Sequence, residues 1–133
     1  VSKLTQGVIP ILFRAYQTGS LFNIIGDGTA QRDYLEVTDL CHAVSLCLAH
    51  RMQEPTLTLN IGSGEGTALN ALIAMIGGIL NRKLRTRHLE AVHDVQSNIL
   101  CRQRAHEVLG WQPLVPLSVG LQRYLARTGI LAA

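Results

Sequence analysis

The sequence is poor in several residue types that mark particular classes of protein. Aromatic residues make up 5% and charged residues 16% of the 133 positions, against 47% hydrophobic residues, and three are cysteine. An apolar share of this size excludes a disordered chain, and an odd cysteine count gives no disulfide framework. No apolar run reaches the roughly 18 residues that a membrane span requires. We therefore expect one soluble, cytoplasmic domain, residues 1–133, with reduced and buried cysteines.

Metal-binding and nucleophilic patterns are incomplete. His42 and His50 lie eight positions apart, which is about two helical turns and too far for both to reach one ion. Cys101 and His106 are five positions apart at a predicted helix start, so their side chains point apart. We expect neither a metal site nor a catalytic residue in this chain.

Basic residues are concentrated in one segment, and the net charge is +3. The segment reads Arg82-Lys83-Leu84-Arg85-Thr86-Arg87-His88. Three interpretations stay open: a solvated edge strand, a surface for an anionic small molecule, or a nucleic-acid contact. Nucleic acid is the least favoured partner because no aromatic side chain interleaves with the basic ones.

A glycine-rich turn at Gly26-Asp27-Gly28 is the most informative local signal. Glycine adopts a positive φ at little cost, and aspartate accepts hydrogen bonds from its own turn. The alternation of polar and apolar residues then predicts a strand over Asp33–Val37, and Thr38 or Asp39 is expected to cap the next helix.

Arg32 lies between this turn and the predicted strand. A forked, permanently charged guanidinium in that position is suited to a phosphate. The alternative is a solvated turn arginine paired with Asp27 or Asp33. Local reasoning leaves both interpretations open.

Hydrophobic periodicity predicts an α/β fold, a small mixed sheet with packed helices, in which Leu57–Ile61 is the central strand. On the helix directly before it, Asp39–Arg51, the stripe Leu40, Val44, Cys47 and Leu48 is expected to face the core. Thr67 is expected to cap the helix after it. The other predicted helices are Val8–Thr18, Arg102–Leu109 and Ser118–Arg127, together with the helix that Thr67 caps, which has Leu69, Leu72, Ile73, Ile76 and Leu80 on its inner side and is weakened at Gly77-Gly78. The other predicted strands are Leu21–Ile25 and Leu84–Leu89.

Five segments, in order, resemble motifs of the NAD-dependent epimerase/dehydratase family, the extended short-chain dehydrogenases that act on nucleotide sugars. The 26–39 segment resembles G-D-G-x-x-x-R-D-[FY]-[ILV]-x-V-x-D. The others are Val8-Ile9-Pro10, Leu59-Asn60-Ile61-Gly62-Ser63-Gly64, Leu109-Gly110-Trp111-Gln112-Pro113 and Leu117 to Leu121. Together they cover nearly the whole chain. The resemblance implies that this chain corresponds to the C-terminal, substrate-binding part of such an enzyme.

The resemblance implies a set of substrate-binding residues: Arg32, Asn23, Ile24, Ile25 and Asp94. It also shows departures, because Ala91 occupies the position of the family's substrate-gripping arginine. Loss of one charge-assisted contact of about 1.5–3 kcal/mol weakens diphosphate binding. Arg85 or Arg87 is a candidate replacement.

The family's catalytic half has no counterpart in the sequence. Neither a G-x-x-G-x-x-G turn nor a Tyr-x-x-x-Lys pair occurs, and these would carry the dinucleotide and the proton chemistry. We therefore expect no cofactor on this chain alone, with NAD only in a complete relative. The expected partners are a UDP-, dTDP- or GDP-linked sugar, and either a second copy of the chain or a missing dinucleotide-binding half.

Overall fold

A computed structural model of the protein describes residues 7–51, 55–91 and 95–128. The helices are α1 (Val8–Thr18), α2 (Val37–Ala49), α3 (Leu69–Leu80), α4 (Gln103–Leu109) and α5 (Leu117–Thr128). The strands are β1 (Phe22–Ile25), β2 (Gln31–Asp33), β3 (Gly66–Ala68), β4 (Thr86–Leu89) and β5 (Ser97–Asn98). The predicted α/β class with small mixed sheets is confirmed. No helix within the described ranges is long and apolar enough to cross a membrane.

The strands form two small sheets. In one, β1 pairs with β4 in parallel, with Asn23 opposite Arg87 and Ile25 opposite Leu89. In the other, β2 lies between β3, its antiparallel neighbour, and β5, its parallel neighbour. The glycine turn joins β1 to β2, so the chain passes there from one sheet to the other.

The larger core cluster is built by α1, α3 and α5. Leu12 and Phe13 of α1 and Leu72 of α3 are at most 1% exposed, as the apolar periodicity of these helices predicts. The Phe13 and Tyr124 rings stack with centroids 5.1 Å apart. The remaining buried members are Tyr16, Ile76, Leu121 and Leu125.

A smaller cluster joins α2 and α4 around Trp111, which is 0% exposed. Ala43 and Ala105 are its other buried members, and their small side chains allow the indole to lie between the two helices. The Trp111 Nε1–H donates to the backbone oxygen of Asp39 over 3.0 Å. The prediction that Trp111 packs in the core is confirmed.

The apolar stripe predicted to face inward on α2 faces outward instead. Leu40, Val44 and Leu48 are 44%, 52% and 84% exposed. The three cysteines Cys41, Cys47 and Cys101 are likewise exposed, so the prediction of buried cysteines is wrong. The physical reason is that α2 packs through Ala43 against Trp111, which turns its larger apolar side chains away. With Val37, 53% exposed, these residues form the α2 apolar face (Val37, Leu40, Val44 and Leu48).

Two predicted strands are corrected. Leu57–Ile61 has no strand pairing within the described residues, although its side chains alternate between half-buried and exposed. An alternating segment becomes a strand only when a neighbour satisfies its backbone groups, and β1, β2 and β3 all pair elsewhere. The strand predicted over Asp33–Val37 is instead Gln31–Asp33, because α2 already begins at Val37.

The predicted helix caps are also corrected. Glu36, not Thr38 or Asp39, caps α2, and its side chain accepts a bond from the Thr38 backbone N–H over 2.6 Å. Thr67 lies in β3, and Ala68 takes the N-cap position of α3 without a side-chain bond. Gly19 and Gly110 end α1 and α4 in the left-handed conformation, which glycine adopts at little cost.

Candidate functional site

The glycine turn is the rigid centre of the candidate site. Asp27 Oδ1 accepts from the Thr29 backbone N–H over 2.9 Å and from Thr29 Oγ1 over 2.6 Å. These bonds, the side-chain bond first, hold the pKa of Asp27 below its usual range. Gly26 and Gly28 have φ values of 76° and 77°, which L side chains rarely adopt. The predicted turn is confirmed.

Asn70, at the start of α3, fixes the turn from below. Its Nδ2 donates to the backbone oxygen of Asp27 over 2.8 Å, and its backbone N–H donates to the oxygen of Gly28 over 3.0 Å. An ideal β-carbon on Gly28 would lie 2.2 Å from Asn70 Oδ1, so only glycine fits there. Sequence reasoning missed Asn70, since nothing in the 69–80 pattern signals a contact with a turn about forty residues earlier.

The β1–β4 pair presents a mixed polar and apolar outer face beside this turn. Ile24 is 2% exposed, whereas Ile25 is 59% and Leu89 42% exposed. Side chains alternate along a strand, so Asn23 and Ile25 lie on the side opposite Ile24, and both Asn23 and Arg87 are exposed. We call this the β1–β4 outer face (Asn23, Ile25, Arg87 and Leu89). The structure thus brings Asn23 and Ile25 together and places Ile24 in the interior.

His88 ties the end of β4 to the turn. Its Nδ1 lies 2.8 Å from the backbone oxygen of Gly26, and the Gly26 backbone N–H donates to the oxygen of Leu89 over 2.9 Å. A carbonyl oxygen only accepts, so Nδ1 carries the proton in this contact. The carboxyl ends of both parallel strands therefore meet at the turn.

Arg32 lies at the centre of the three-stranded sheet and is half-buried. Its Nη1 donates to the backbone oxygens of Gln31 over 2.9 Å and of Val95 over 2.7 Å. These bonds hold the guanidinium near the segment that leads into β5. Asp94, the remaining residue of the predicted site, lies outside the described residues.

Asp33 anchors a second glycine-containing turn, Gly62-Ser63-Gly64. Its carboxylate accepts from the backbone N–H groups of Ser63, Gly64 and Leu100 over 2.7, 3.0 and 3.1 Å, and from Ser63 Oγ over 2.6 Å. Burial opposes ionisation of this carboxyl, but the hydrogen bonds outweigh it and keep the pKa of Asp33 below its usual range. Asp33 is therefore an acceptor that joins β2, the 62–64 turn and the end of β5.

Asp39 has a similar structural role at the start of α2. It is 3% exposed, and its Oδ2 accepts from the backbone N–H groups of Leu114 and Val115 over 3.1 and 2.9 Å. Together with the Trp111 bond, these contacts attach α2 to the segment before α5. Asp33 and Asp39 thus serve separate anchors and are not paired carboxylates.

Four surface cavities are lined by residues that the structure describes. None of these four is lined by Asn23, Ile24, Ile25 or Arg32. The largest, of about 540 Å³, lies at the C-terminal end of α3 beside Tyr16, Arg82 and Lys83. A cavity of about 240 Å³ lies between the 34–37 segment and α5. Within the described part of the chain, no group of three histidine, cysteine, aspartate or glutamate side chains could hold a metal ion.

The described residues form a fold of the α/β class, and comparisons with known proteins identify its family. The sequence profile of the NAD dependent epimerase/dehydratase family matches residues 2–62. The chain is 35% identical over 121 residues to a dTDP-4-dehydro-6-deoxyglucose reductase of Escherichia coli, and 32% identical over 118 residues to a UDP-glucose 4-epimerase of Mycolicibacterium smegmatis. The chain belongs to the NAD-dependent epimerase/dehydratase family.

Solved structures agree with this assignment. The UDP-glucose 4-epimerase of Thermotoga maritima with UDP-glucose superposes with a TM-score of 0.80 at 32% identity over 92% of this chain. MoeE5 in complex with UDP-glucose and NAD gives a TM-score of 0.84 at 29% identity over 94%. This chain spans 40% of the length of the Thermotoga maritima protein and 42% of MoeE5. It spans 38% of the Escherichia coli reductase and 37% of the Mycolicibacterium smegmatis epimerase.

Proposed function

We propose that this chain is the nucleotide-sugar-binding part of an epimerase- or dehydratase-like protein and is not catalytic alone. The observation that carries the proposal is that β1 exposes Asn23 and Ile25 beside the turn at which the carboxyl ends of two parallel strands meet. In open α/β sheets, ligands bind outside these ends. Relatives named for UDP- and dTDP-sugars, and structures that contain UDP-glucose, support the ligand class.

The proposed roles follow from the chemistry of each side chain. The Asn23 amide is suited to the polar edge of a base or a ribose hydroxyl, and Ile25 is suited to a ring face. Arg32 is the proposed phosphate contact, because guanidinium groups bind phosphate with two parallel bonds. Ile24 would support this surface from the interior, and Asp94 stays a predicted contact.

The proposal assigns NAD and proton transfer to a dinucleotide-binding half that this sequence does not contain. Its support is the lack of a G-x-x-G-x-x-G turn and of a Tyr-x-x-x-Lys pair. The proposal predicts that this chain alone neither binds NAD nor turns over a nucleotide sugar. A cytoplasmic location likewise stays a prediction.

Isothermal titration calorimetry with UDP-glucose, dTDP-glucose and GDP-mannose tests the proposal. We expect saturable binding of at least one of the three. Arg32→Gln removes the charge and should weaken that binding about tenfold, the effect of one charge-assisted hydrogen bond. Arg14→Gln, at an exposed position of α1, is the matched control and should bind as the wild type does. Absence of heat with all three ligands at millimolar concentration would reject the proposal.

A second candidate function is self-association through the α2 apolar face. Its supporting observation is four exposed aliphatic residues, spaced three or four positions apart on one helix, since large exposed apolar patches mark interfaces. Sedimentation at tens of micromolar should then show an oligomer that Val44→Lys dissociates. Ile11→Lys, at an α1 position 43% exposed, should leave the oligomer intact. A compact wild-type monomer would remove this candidate.

A further inference from the structure

The register of the two parallel strands places one guanidinium directly beside the candidate base-binding residues. Arg87 is the partner of Asn23, and Leu89 is the partner of Ile25. Residues opposite each other in a parallel pair project to the same side, and the side changes with each residue. Arg87 therefore shares the β1–β4 outer face with Asn23, and both are exposed.

The composition of this face fits a nucleotide better than a protein surface. Two adjacent aliphatic side chains, Ile25 at 59% and Leu89 at 42% exposure, offer an apolar patch beside the turn. An amide lies next to them on one strand and a cation on the other. A nucleoside diphosphate can use each of these groups. Its base can contact the apolar patch and hydrogen-bond to the amide, and its phosphates can bind the guanidinium.

Position along β4 distinguishes Arg87 from its neighbour Arg85. The Arg85 oxygen accepts from the Phe22 backbone N–H over 2.8 Å, so Arg85 lies at the amino end of the strand pair. Arg87 lies two residues closer to the carboxyl end of the strand pair. At that end the Gly26 backbone N–H donates to the backbone oxygen of Leu89 over 2.9 Å. Ligands at parallel strands bind at that end.

The described residues directly after β4, Glu90 and Ala91, supply no cation beside the turn. Ala91 passes close to it, with its β-carbon 3.6 Å from an ideal β-carbon on Gly26. Between Arg87 and Ala91 the residues are histidine, leucine and glutamate, and His88 Nδ1 is engaged with the Gly26 oxygen. Arg87 is therefore the guanidinium of β4 nearest the carboxyl end.

We propose that Arg87 contacts the diphosphate of the bound nucleotide sugar, in register with Asn23, and that Arg85 does not. This inference rests on the proposed function and adds one residue to it. Arg32 would reach the same diphosphate from β2, beyond the turn, while Arg87 reaches it from β4.

Calorimetric titration of UDP-glucose into three full-length variants tests the inference. Arg87→Ala should weaken binding about tenfold or more, as the loss of a charge-assisted bond predicts. Arg87→Lys keeps the charge and should recover part of that loss. Arg85→Ala removes the same charge two residues away and should stay within twofold of the wild type. Equal melting temperatures would show that folding is unchanged.

The possible outcomes separate the two claims. Wild-type binding with an Arg87→Ala affinity within twofold would overturn the role of Arg87 and leave the proposed function standing. Equal losses in Arg85→Ala and Arg87→Ala would also overturn it, because they indicate a general attraction to basic charge. A wild type that binds none of the three nucleotide sugars would reject the proposed function and this inference together.

Discussion

Helices α3 and α2 have a similar spacing of apolar residues, but these residues are buried in α3 and exposed in α2. Both carry aliphatic residues at intervals of three and four positions. In α3 these residues are buried, with Leu72 and Ile76 at 0% exposure, whereas in α2 Leu48 is 84% exposed. Helix α3 is held by apolar packing between α1 and α5. Helix α2 is held by the polar contacts of Asp39 and by the small contact of Ala43 with Trp111.

The difference shows what an apolar stripe in a sequence specifies. It indicates which side of a helix gains free energy from burial, but it does not indicate which chain supplies the covering surface. This chain spans about two fifths of the length of its relatives, 38% of one and 42% of another. The α2 apolar face is an example of such a stripe, because its apolar residues have the spacing of a buried helix face and are nevertheless exposed.

The largest expected effect comes from truncating a buried leucine of α3, and truncation of an exposed leucine of α2 is the comparison. Leu72→Ala should lower the free energy of unfolding by about 2–5 kcal/mol, because it leaves a cavity in the α1–α3–α5 core. Leu48→Ala should change it by less than about 0.5 kcal/mol, because that side chain is already in water. Urea denaturation of both variants measures the difference. Equal losses would mean that the α2 apolar face is covered in solution.

A polar anchor should respond to pH in a way that an apolar one does not. The folded pKa of Asp33 lies below its reference value of 3.8, so the unfolded state binds a proton first as pH falls. Its contribution is therefore complete above pH of about 4 and is lost as pH falls through the folded pKa. Asp33→Asn should cost about 1–3 kcal/mol at pH 7, a gap that narrows toward pH 3.

Asp27→Asn is the matched control for this carboxyl. Its pKa is also lowered, but by Thr29 in an exposed turn, so we expect a smaller and less pH-dependent loss. The measurement is the free energy of unfolding from pH 7 to pH 3 for the wild type and both variants. A gap between wild type and Asp33→Asn that does not change with pH would contradict the role assigned to the ionised carboxylate.

The smallest effects are expected at two adjacent glycines of α3. Gly78 faces open space, so Gly78→Ala should stabilise by up to about 1 kcal/mol through helix propensity. An ideal β-carbon on Gly77 would lie 2.8 Å from the Tyr16 hydroxyl and 2.9 Å from the Arg82 oxygen. Overpacking costs about 1–3 kcal/mol and outweighs the propensity gain. Thermal denaturation giving the same sign for both variants would show that α1 and α3 are not in close contact there.

Much of the fold can be predicted from local sequence, and the predictions that were wrong share one cause. The bounds of α1 agree with the prediction because its periodicity and its terminal glycine are local features. Helix α3 begins one residue later than the predicted Thr67 cap implies and continues through Gly77 and Gly78 to Leu80. The segment Leu57–Ile61 was mispredicted as a strand because pairing depends on a partner elsewhere. The inward stripe on α2 was mispredicted for the same reason: the choice of Ala43 over Leu48 as the packing side depends on Trp111.

The candidate site was predictable in its turn but not in its partners. The glycines and Asp27 of the turn carry their own signal in the sequence. The pairing of Asn23 with Arg87 is a long-range register that no local pattern states. Similarly, the sequence predicts Asp33 as the start of a strand or as an ion-pair partner of Arg32, whereas its four acceptor contacts reach residues 30 or more positions away.

The most direct test of nucleotide-sugar binding at the β1–β4 outer face is an amide chemical-shift titration of the labelled protein with UDP-glucose. We predict saturable shifts at Asn23, Ile25 and Arg87, and none at Leu48 of the α2 apolar face. Shifts confined to α2, or no saturable shift at millimolar ligand, would contradict the proposed site.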